Sequence, residues 1–231
     1  MEKRYQTLNN IAEKEMQEAG SAHDIDHVMR VYNLCIYLAR DELNVDLDVL
    51  KTSVLLHDIA RVKEDKDDSG NTDHAILSSE ISEEILRDLD YSETKIGQVK
   101  HCIATHRFRS DNEPRTKEAK ILYDADKLDV IGAIGIARSF IIAGQYGERI
   151  YSNVPIDNYV KENLIDGKRN GRIKNISKHA PNIEFETKFK YIPDKLYTLK
   201  AKEHAKQRIQ YMEHFFERLK KDIKFTSSKL E

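Results

Sequence analysis

Val54-Leu55-Leu56-His57-Asp58 carries an apolar helical run onto an imidazole and a carboxylate. The run reads as a helix beginning at Asp48, with Val49, Leu50 and Val54 leading into the His57-Asp58 pair. Burying two ionisable side chains at the end of such a helix is costly unless something pairs with them. A divalent cation is one such partner. Imidazole and carboxylate together suit Mn, Fe, Co, Ni or Zn, whereas a pure Mg site favours oxygen ligands.

The helical spacing continues on both sides of this run. Residues 2–18 read as a weak opening helix through Tyr5, Leu8, Ile11 and Met16. A clearer helix follows Asp24-Ile25-Asp26, with Val28, Val31, Cys35 and Leu38 as its apolar stripe. Lys63 to Thr72 is charged and reads as a loop. Asp73 is a good N-cap for a helix carrying Leu77, Ile81, Ile85 and Leu89. Ser92 caps the next, which has Ile96, Val99, Ile103 and His106 on one face, and Arg107 to Arg115 is a polar loop. A long helix is expected from about Lys117 to Ala143, with a neighbour packed closely at Gly132 and Gly135.

Residues 144–157 read as loop. Residues 166–182, rich in Lys, Arg and Asn, read as a mobile surface loop. A last long helix follows Thr198, with Ala205, Ile209, Met212, Phe216 and Leu219 as its stripe. No strand set, internal repeat or low-complexity tract is visible. The expected class is therefore all-α, as one domain over residues 1–231, with a core at 22–140 and a C-terminal helical extension at 183–225.

Composition sets bounds on this reading. Nine Gly and four Pro in 231 residues favour long helices over a many-turned β architecture. The formal net charge of −2, with both signs interspersed, argues against a nucleic-acid-binding domain, although Lys168 to Lys178 is locally basic. No apolar run reaches membrane-spanning length and no N-terminal apolar leader is visible, so a cytoplasmic protein without a membrane partner is expected. Cys35 and Cys102 lie on apolar helical patterns and read as reduced core thiols. The absence of Cys-x-x-Cys excludes a zinc ribbon.

The histidines differ in what their positions allow. His23 and His27 are four apart and would share a face of a continuous helix. If Asp24-Ile25-Asp26 is the helix start, only His27 has a fixed direction, beside Val28 and toward the core. His106 continues the apolar stripe of its helix, whereas His101 falls off it. A lone His on an apolar face is more often a hydrogen-bonded core residue than a ligand, and capping accounts for Asp73 and Asp24. The combination of several His and Asp residues on apolar helices points instead to a shared cation.

Those residues resemble the H…HD…D signature of HD-domain metal-dependent phosphohydrolases. The resemblance is nearest to the bacterial subgroup that includes nucleotide pyrophosphohydrolases. It rests on His23-Asp24-Ile25-Asp26-His27-x-x-Arg30-Val31, Leu55-Leu56-His57-Asp58-Ile59-x-Arg61 and Asp73-His74-Ala75. Thr105-His106-x-Phe108-Arg109-Ser110 and the long Asp124-Ala125-Asp126-Lys127-Leu128-Asp129-x-Ile131-Gly132 segment complete it. The resemblance implies a helical bundle with His27, His57, Asp58 and Asp126 as metal ligands. It leaves His74 and His106 as phosphate contacts, supporting groups or ligands of a second metal. Several relatives of this kind carry Glu three residues after the HD Asp, where this chain has Arg61. Arginine is too basic to be a general base.

The implied reaction is hydrolysis of a phosphoester or phosphoanhydride, with a cation activating water and offsetting phosphate charge. The expected cofactor is a divalent metal: Mn, Co, Ni, Fe or Mg. The expected partner is a small phosphorylated molecule, a nucleotide by resemblance, and a homo-oligomer is compatible with the sequence. Asp58, His74, His106 and Asp129 are the candidate catalytic residues, and His23, Arg61, Lys127 and Lys188 the candidate substrate contacts. The alternatives are a two-metal oxygenase of the same superfamily and a catalytically degenerate ligand-sensing module.

Overall fold

A computed structural model of the chain describes residues 3–20, 24–67, 69–107, 112–169 and 171–227, with side chains through 224. Among these residues every extended element is a helix, apart from an isolated antiparallel bridge between Leu164 and Ile173. The fold is all-α, as expected. No single described helix is long and apolar enough to cross a membrane. The chain forms two compact units, one of Met1–Asp129 with Leu196–Ala201 and one of Val130–Lys195 with Lys202–Glu231.

The first unit contains α1 (Lys3–Glu15), α2 (Ile25–Ala39), α3 (Leu47–Leu56), α4 (Arg61–Asp65), α5 (His74–Asp88), α6 (Glu93–Ala104) and α7 (Lys117–Asp129). Helix α3 is its centre and packs against α1, α2, α5, α6 and α7. Being surrounded, it is buried on nearly all sides, with Leu50, Val54, Leu55 and Leu56 fully excluded from solvent. Each of those side chains contributes at most about 1.5–3 kcal/mol. The polar atoms of α3 are also satisfied: Ser53 donates to the Val49 carbonyl at 2.7 Å, and Thr52 bonds the Tyr91 hydroxyl at 3.0 Å.

Caps fix where these helices begin. Asp24 accepts from the His27 N–H at 3.1 Å, Asp73 from Ala75 at 2.9 Å and Ser92 from Lys95 at 3.4 Å. The start of α3 differs from the sequence reading. It begins one residue earlier, at Leu47, with Asp46 as the cap, accepting from the N–H groups of Asp48 and Val49. Asp48 instead receives Arg4 at 2.6 Å and the Tyr5 hydroxyl at 2.9 Å, tying α1 to α3. The charged Lys63–Thr72 stretch is not wholly loop either, because α4 occupies its first part.

The expected helix from Lys117 to Ala143 is two helices. Helix α7 stops at Asp129, and α8 (Gly132–Tyr146) starts afresh in the second unit. Gly132 has φ of +79°, a left-handed conformation that breaks a regular helix. A Cβ on Gly135 would lie 2.3 Å from the Val130 carbonyl oxygen. The close approach expected at the glycines is therefore real. It comes from the Arg208 side chain at Gly132 and from the chain's own turn at Gly135.

The second unit continues with α9 (Ile156–Asn163), α10 (Pro181–Thr187) and α11 (Ile192–Lys195), and includes all of α12 (Leu199–Ser227) after its first turn. Tyr159, Val160, Leu164, Ala180 and Ile183 form an apolar cluster. Phe185 meets Phe216, with ring centroids 5.2 Å apart. The segment read as a mobile loop over 166–182 ends in buried residues, His179 to Asn182, which lead into α10.

Candidate metal centre

Four imidazoles enter one buried cluster, each from the end of a helix. His27 stands in the first turn of α2, and His74 is the first residue of α5. His57 follows the last residue of α3, and His106 follows the end of α6. All four are nearly inaccessible to solvent. His57 and Asp58 occupy the turn that directly follows α3. That turn is held by the Arg61 N–H on the Asp58 carbonyl at 2.9 Å and the Ala60 N–H on the Ser78 hydroxyl at 3.0 Å.

In every one of these imidazoles Nδ1 has an oxygen partner. His57 donates to the Val54 carbonyl at 2.7 Å and His106 to the Ile103 carbonyl at 2.6 Å. Both carbonyls belong to the last turns of helices, where such groups lack helical partners. His27 donates to Asp129 at 2.7 Å and His74 to Glu64 at 2.8 Å. With Nδ1 committed to an oxygen, Nε2 is the nitrogen that each ring turns to the centre.

Asp58 lies among those four nitrogens. Its Oδ2 is 3.7 Å from His27 Nε2 and 3.8 Å from His57 Nε2. Its Oδ1 is 3.4 Å from His74 Nε2 and 3.3 Å from His106 Nε2. Asp126 adds a second carboxylate, 3.4 Å from His27 Nε2. Two groups of three donors result, His27–His57–Asp58 and Asp58–His74–His106, sharing Asp58.

The donors fit cations better than they fit each other. His57 Nε2 and Asp58 Oδ1 are buried without a hydrogen-bond partner. His74 Nε2 and His106 Nε2 face one another at 3.3 Å, beside Asp58 Oδ1. A cation bound at about 2.1 Å needs neighbouring donors about 3.0–3.4 Å apart, which the second group satisfies and the first slightly exceeds. The residues present therefore fit a divalent metal at either position, and Asp58 can bridge both.

Electrostatics sets the donors in their ligating forms. Burial lowers His57 to about 4, so the ring is neutral at ordinary pH. Burial pushes the Asp58 carboxyl up, but His57, His106 and His74 outweigh it and hold the group well below the usual carboxylate range. Asp126 is likewise held low against its burial, chiefly by Lys127 and His27.

The supporting residues divide the labour of the Asp124-Ala125-Asp126-Lys127-Leu128-Asp129 stretch. Asp126 faces the cluster. Asp129, one turn on, accepts from His27 and is gripped by Arg30 at 2.8 and 3.1 Å. Asp124 points elsewhere and accepts from the backbone of Tyr197 and Thr198. Lys127 bonds the His106 carbonyl at 2.9 Å and Asp126 at 2.5 Å. Arg61 pairs with Glu64 at 3.0 Å and Asp65 at 2.8 Å. Lys188 belongs to the second unit, paired with Glu184 at 2.8 Å, and His23 lies outside the described residues. Sequence reasoning missed Glu64 and Arg107, whose guanidinium meets Glu64 at 2.9 Å. The Arg61-x-x-Glu64 spacing on a short helix was the available signal.

Residues 24–131 match the HD domain family. The uncharacterized protein YpgQ of Bacillus subtilis is 30% identical over 213 residues, covering 90% of this chain and 88% of that protein. A crystal structure of Bacillus subtilis YpgQ in complex with ADP matches with a TM-score of 0.68 at 26% identity, covering 95% of this chain and 97% of the other. An HD-superfamily hydrolase from Bacillus thuringiensis matches with a TM-score of 0.68 at 26% identity, covering 96% and 97%. The 3'-5' exoribonuclease YhaM of Bacillus licheniformis is 29% identical over an alignment of 140 residues, with 54% of this chain and 44% of that protein covered.

Proposed function

This chain belongs to the HD domain family of metal-dependent hydrolases, and we propose that it hydrolyses a phosphoanhydride or phosphoester bond of a nucleotide. The observation that carries the reading is the placement of Asp58, each oxygen facing a pair of imidazole Nε2 atoms, with two buried polar atoms left unpaired. His27, His57, Asp58 and Asp126 hold one cation. Asp58, His74 and His106 offer a second position. A divalent metal so held lowers the pKa of a coordinated water and offsets charge on a phosphate oxygen.

The chain's own groups do the rest. Asp129 acts through His27, fixing its tautomer and direction. Lys127 offsets the charge of Asp126 and anchors the carbonyl of His106. Arg61 and Arg107 bring guanidinium charge to the edge of the His74 side, where a phosphate would need it. The ADP complex of YpgQ and the ribonuclease activity named for YhaM support a nucleotide over other phosphate esters.

The test begins with purified protein, its metals quantified and then replaced by Mn, Co, Ni or Mg. Nucleotides and generic phosphoesters are screened, with products identified by mass. In water labelled with oxygen-18, label is expected in a phosphate-containing product with no dioxygen consumed. Oxygen uptake coupled to substrate oxidation would overturn the hydrolytic reading. No turnover of any phosphorylated compound would leave the chain a sensing module.

A further inference from the structure

Glu64 sits where the sequence promised only a charged loop. Its two oxygens are both occupied: Oε2 accepts from His74 Nδ1 at 2.8 Å and from Arg61 at 3.0 Å, and Oε1 accepts from Arg107 at 2.9 Å. The same Arg107 nitrogen reaches Asp73 at 2.9 Å, and Asp73 caps the helix that His74 begins. His74 is thus fixed from two directions, through its ring by Glu64 and through its backbone by the cap.

We propose that Glu64 is the positioning residue for the second cation of the centre, acting through His74 on the Asp58–His74–His106 donors and not on His27 or His57. The proposal rests on the two-position reading of Asp58 and deepens it.

The geometry gives the reason. His57 and His106 take their tautomer from helix carbonyls, which no side-chain substitution removes. His27 takes its own from Asp129. His74 depends on Glu64. Without that carboxylate, His74 can turn or carry its proton on Nε2, and the donor trio around Asp58 Oδ1 loses one member. A carboxylate behind a ligating histidine fixes ring orientation and raises its basicity, and its loss typically weakens metal binding by about 10–100-fold. The pair Arg61 and Arg107 holds the carboxylate ionised and still, and Glu64 in return keeps both guanidiniums at that edge.

The experiment is a Mn titration of the full chain, followed by calorimetry and by electron paramagnetic resonance, on wild type, Glu64→Ala and Glu64→Gln. Wild type is expected to load two ions and to give the exchange-coupled signal of a manganese pair. Glu64→Ala should load the first ion with unchanged affinity and the second about 10–100-fold more weakly, leaving a single-ion signal at intermediate metal. Glu64→Gln keeps an acceptor oxygen for His74 and should fall between the two, which also covers the case in which the alanine variant does not fold. Variants that load a coupled pair with wild-type affinity would overturn the proposal, as would equal weakening of both ions. A wild type that binds one ion would also overturn it while leaving the metal-dependent hydrolase reading intact. A wild type that binds none would remove both.

Discussion

Two buried polar clusters, one in each unit, respond to the same problem in opposite ways. In the first unit four imidazoles are anchored through Nδ1 and turn Nε2 toward Asp58. In the second unit buried His179 bonds the Tyr159 hydroxyl through Nδ1 at 2.7 Å and Glu184 through Nε2 at 3.2 Å. The other oxygen of Glu184 takes Lys188 at 2.8 Å. This second network is complete with protein groups alone. The first leaves two of its buried atoms, His57 Nε2 and Asp58 Oδ1, without a hydrogen-bond partner. Burial and perturbed titration occur in both, so neither marks a site by itself. What separates them is whether the buried acceptors find donors inside the chain.

The sharpest way to break this comparison is to remove the shared carboxylate. Asp58→Ala should bring metal content close to zero and lower turnover by at least about 1,000-fold, equivalent to about 4 kcal/mol of barrier. Helical circular dichroism should persist, since α3 ends before Asp58. A variant with full metal content and activity would show that the imidazoles do not share Asp58. Removing the metal is the milder version of the same test. A cation present at 100 times its dissociation constant stabilises the folded state by about 2.7 kcal/mol. Chelation should therefore lower the unfolding temperature of the wild type and leave that of Asp58→Ala unmoved, as read by calorimetry.

Much of this was legible in the sequence, for a physical reason. Apolar residues at helical spacing must face a core, so Val28, Val31, Leu50, Val54, Val99 and Ile103 announced their helices and the inward direction of His27 and His106. Caps at Asp24, Asp73 and Ser92 were equally readable because the capping oxygen is local. What was not legible depends on distant partners or on single torsions. Glu64 and His74 are ten residues apart and meet only in the folded chain. Asp46 and Asp48 are chemically alike, and the folded chain gives the cap to Asp46 and the contacts with α1 to Asp48. The break after Asp129 hangs on the backbone of two residues, extended Ile131 and left-handed Gly132, within a continuous apolar pattern.

The second cluster predicts effects on stability without effects on metal. Tyr159→Phe removes a hydroxyl from buried His179 and leaves Nδ1 without its hydrogen-bond partner. The expected cost is about 1–2 kcal/mol by urea denaturation, with metal stoichiometry unchanged. Loss of metal on this substitution would mean that the two clusters are coupled, and the contrast between them would fail.

The smallest expected effect sharpens the contrast through pH. Burial pushes the Glu184 carboxyl up, but Lys188 and His179 more than offset it and hold the group well below the usual carboxylate range. A carboxyl depressed in the folded state binds its proton more readily when unfolded. Its contribution to stability is therefore fully present above the unfolded value of about 4.3 and is lost as pH falls through that value toward the folded one. Glu184→Gln removes this dependence while keeping the shape. The stability difference between wild type and Glu184→Gln, measured by urea denaturation, should stay level from pH 7 to about pH 5 and shrink at pH 4 and below. Lys188 shares the carboxylate at a partly exposed position, so added salt should also narrow the difference modestly. A difference that widened on acidification would mean that Glu184 is protonated in the folded chain. His179 would then lack an ionised partner, and the second cluster would be as unsatisfied as the first.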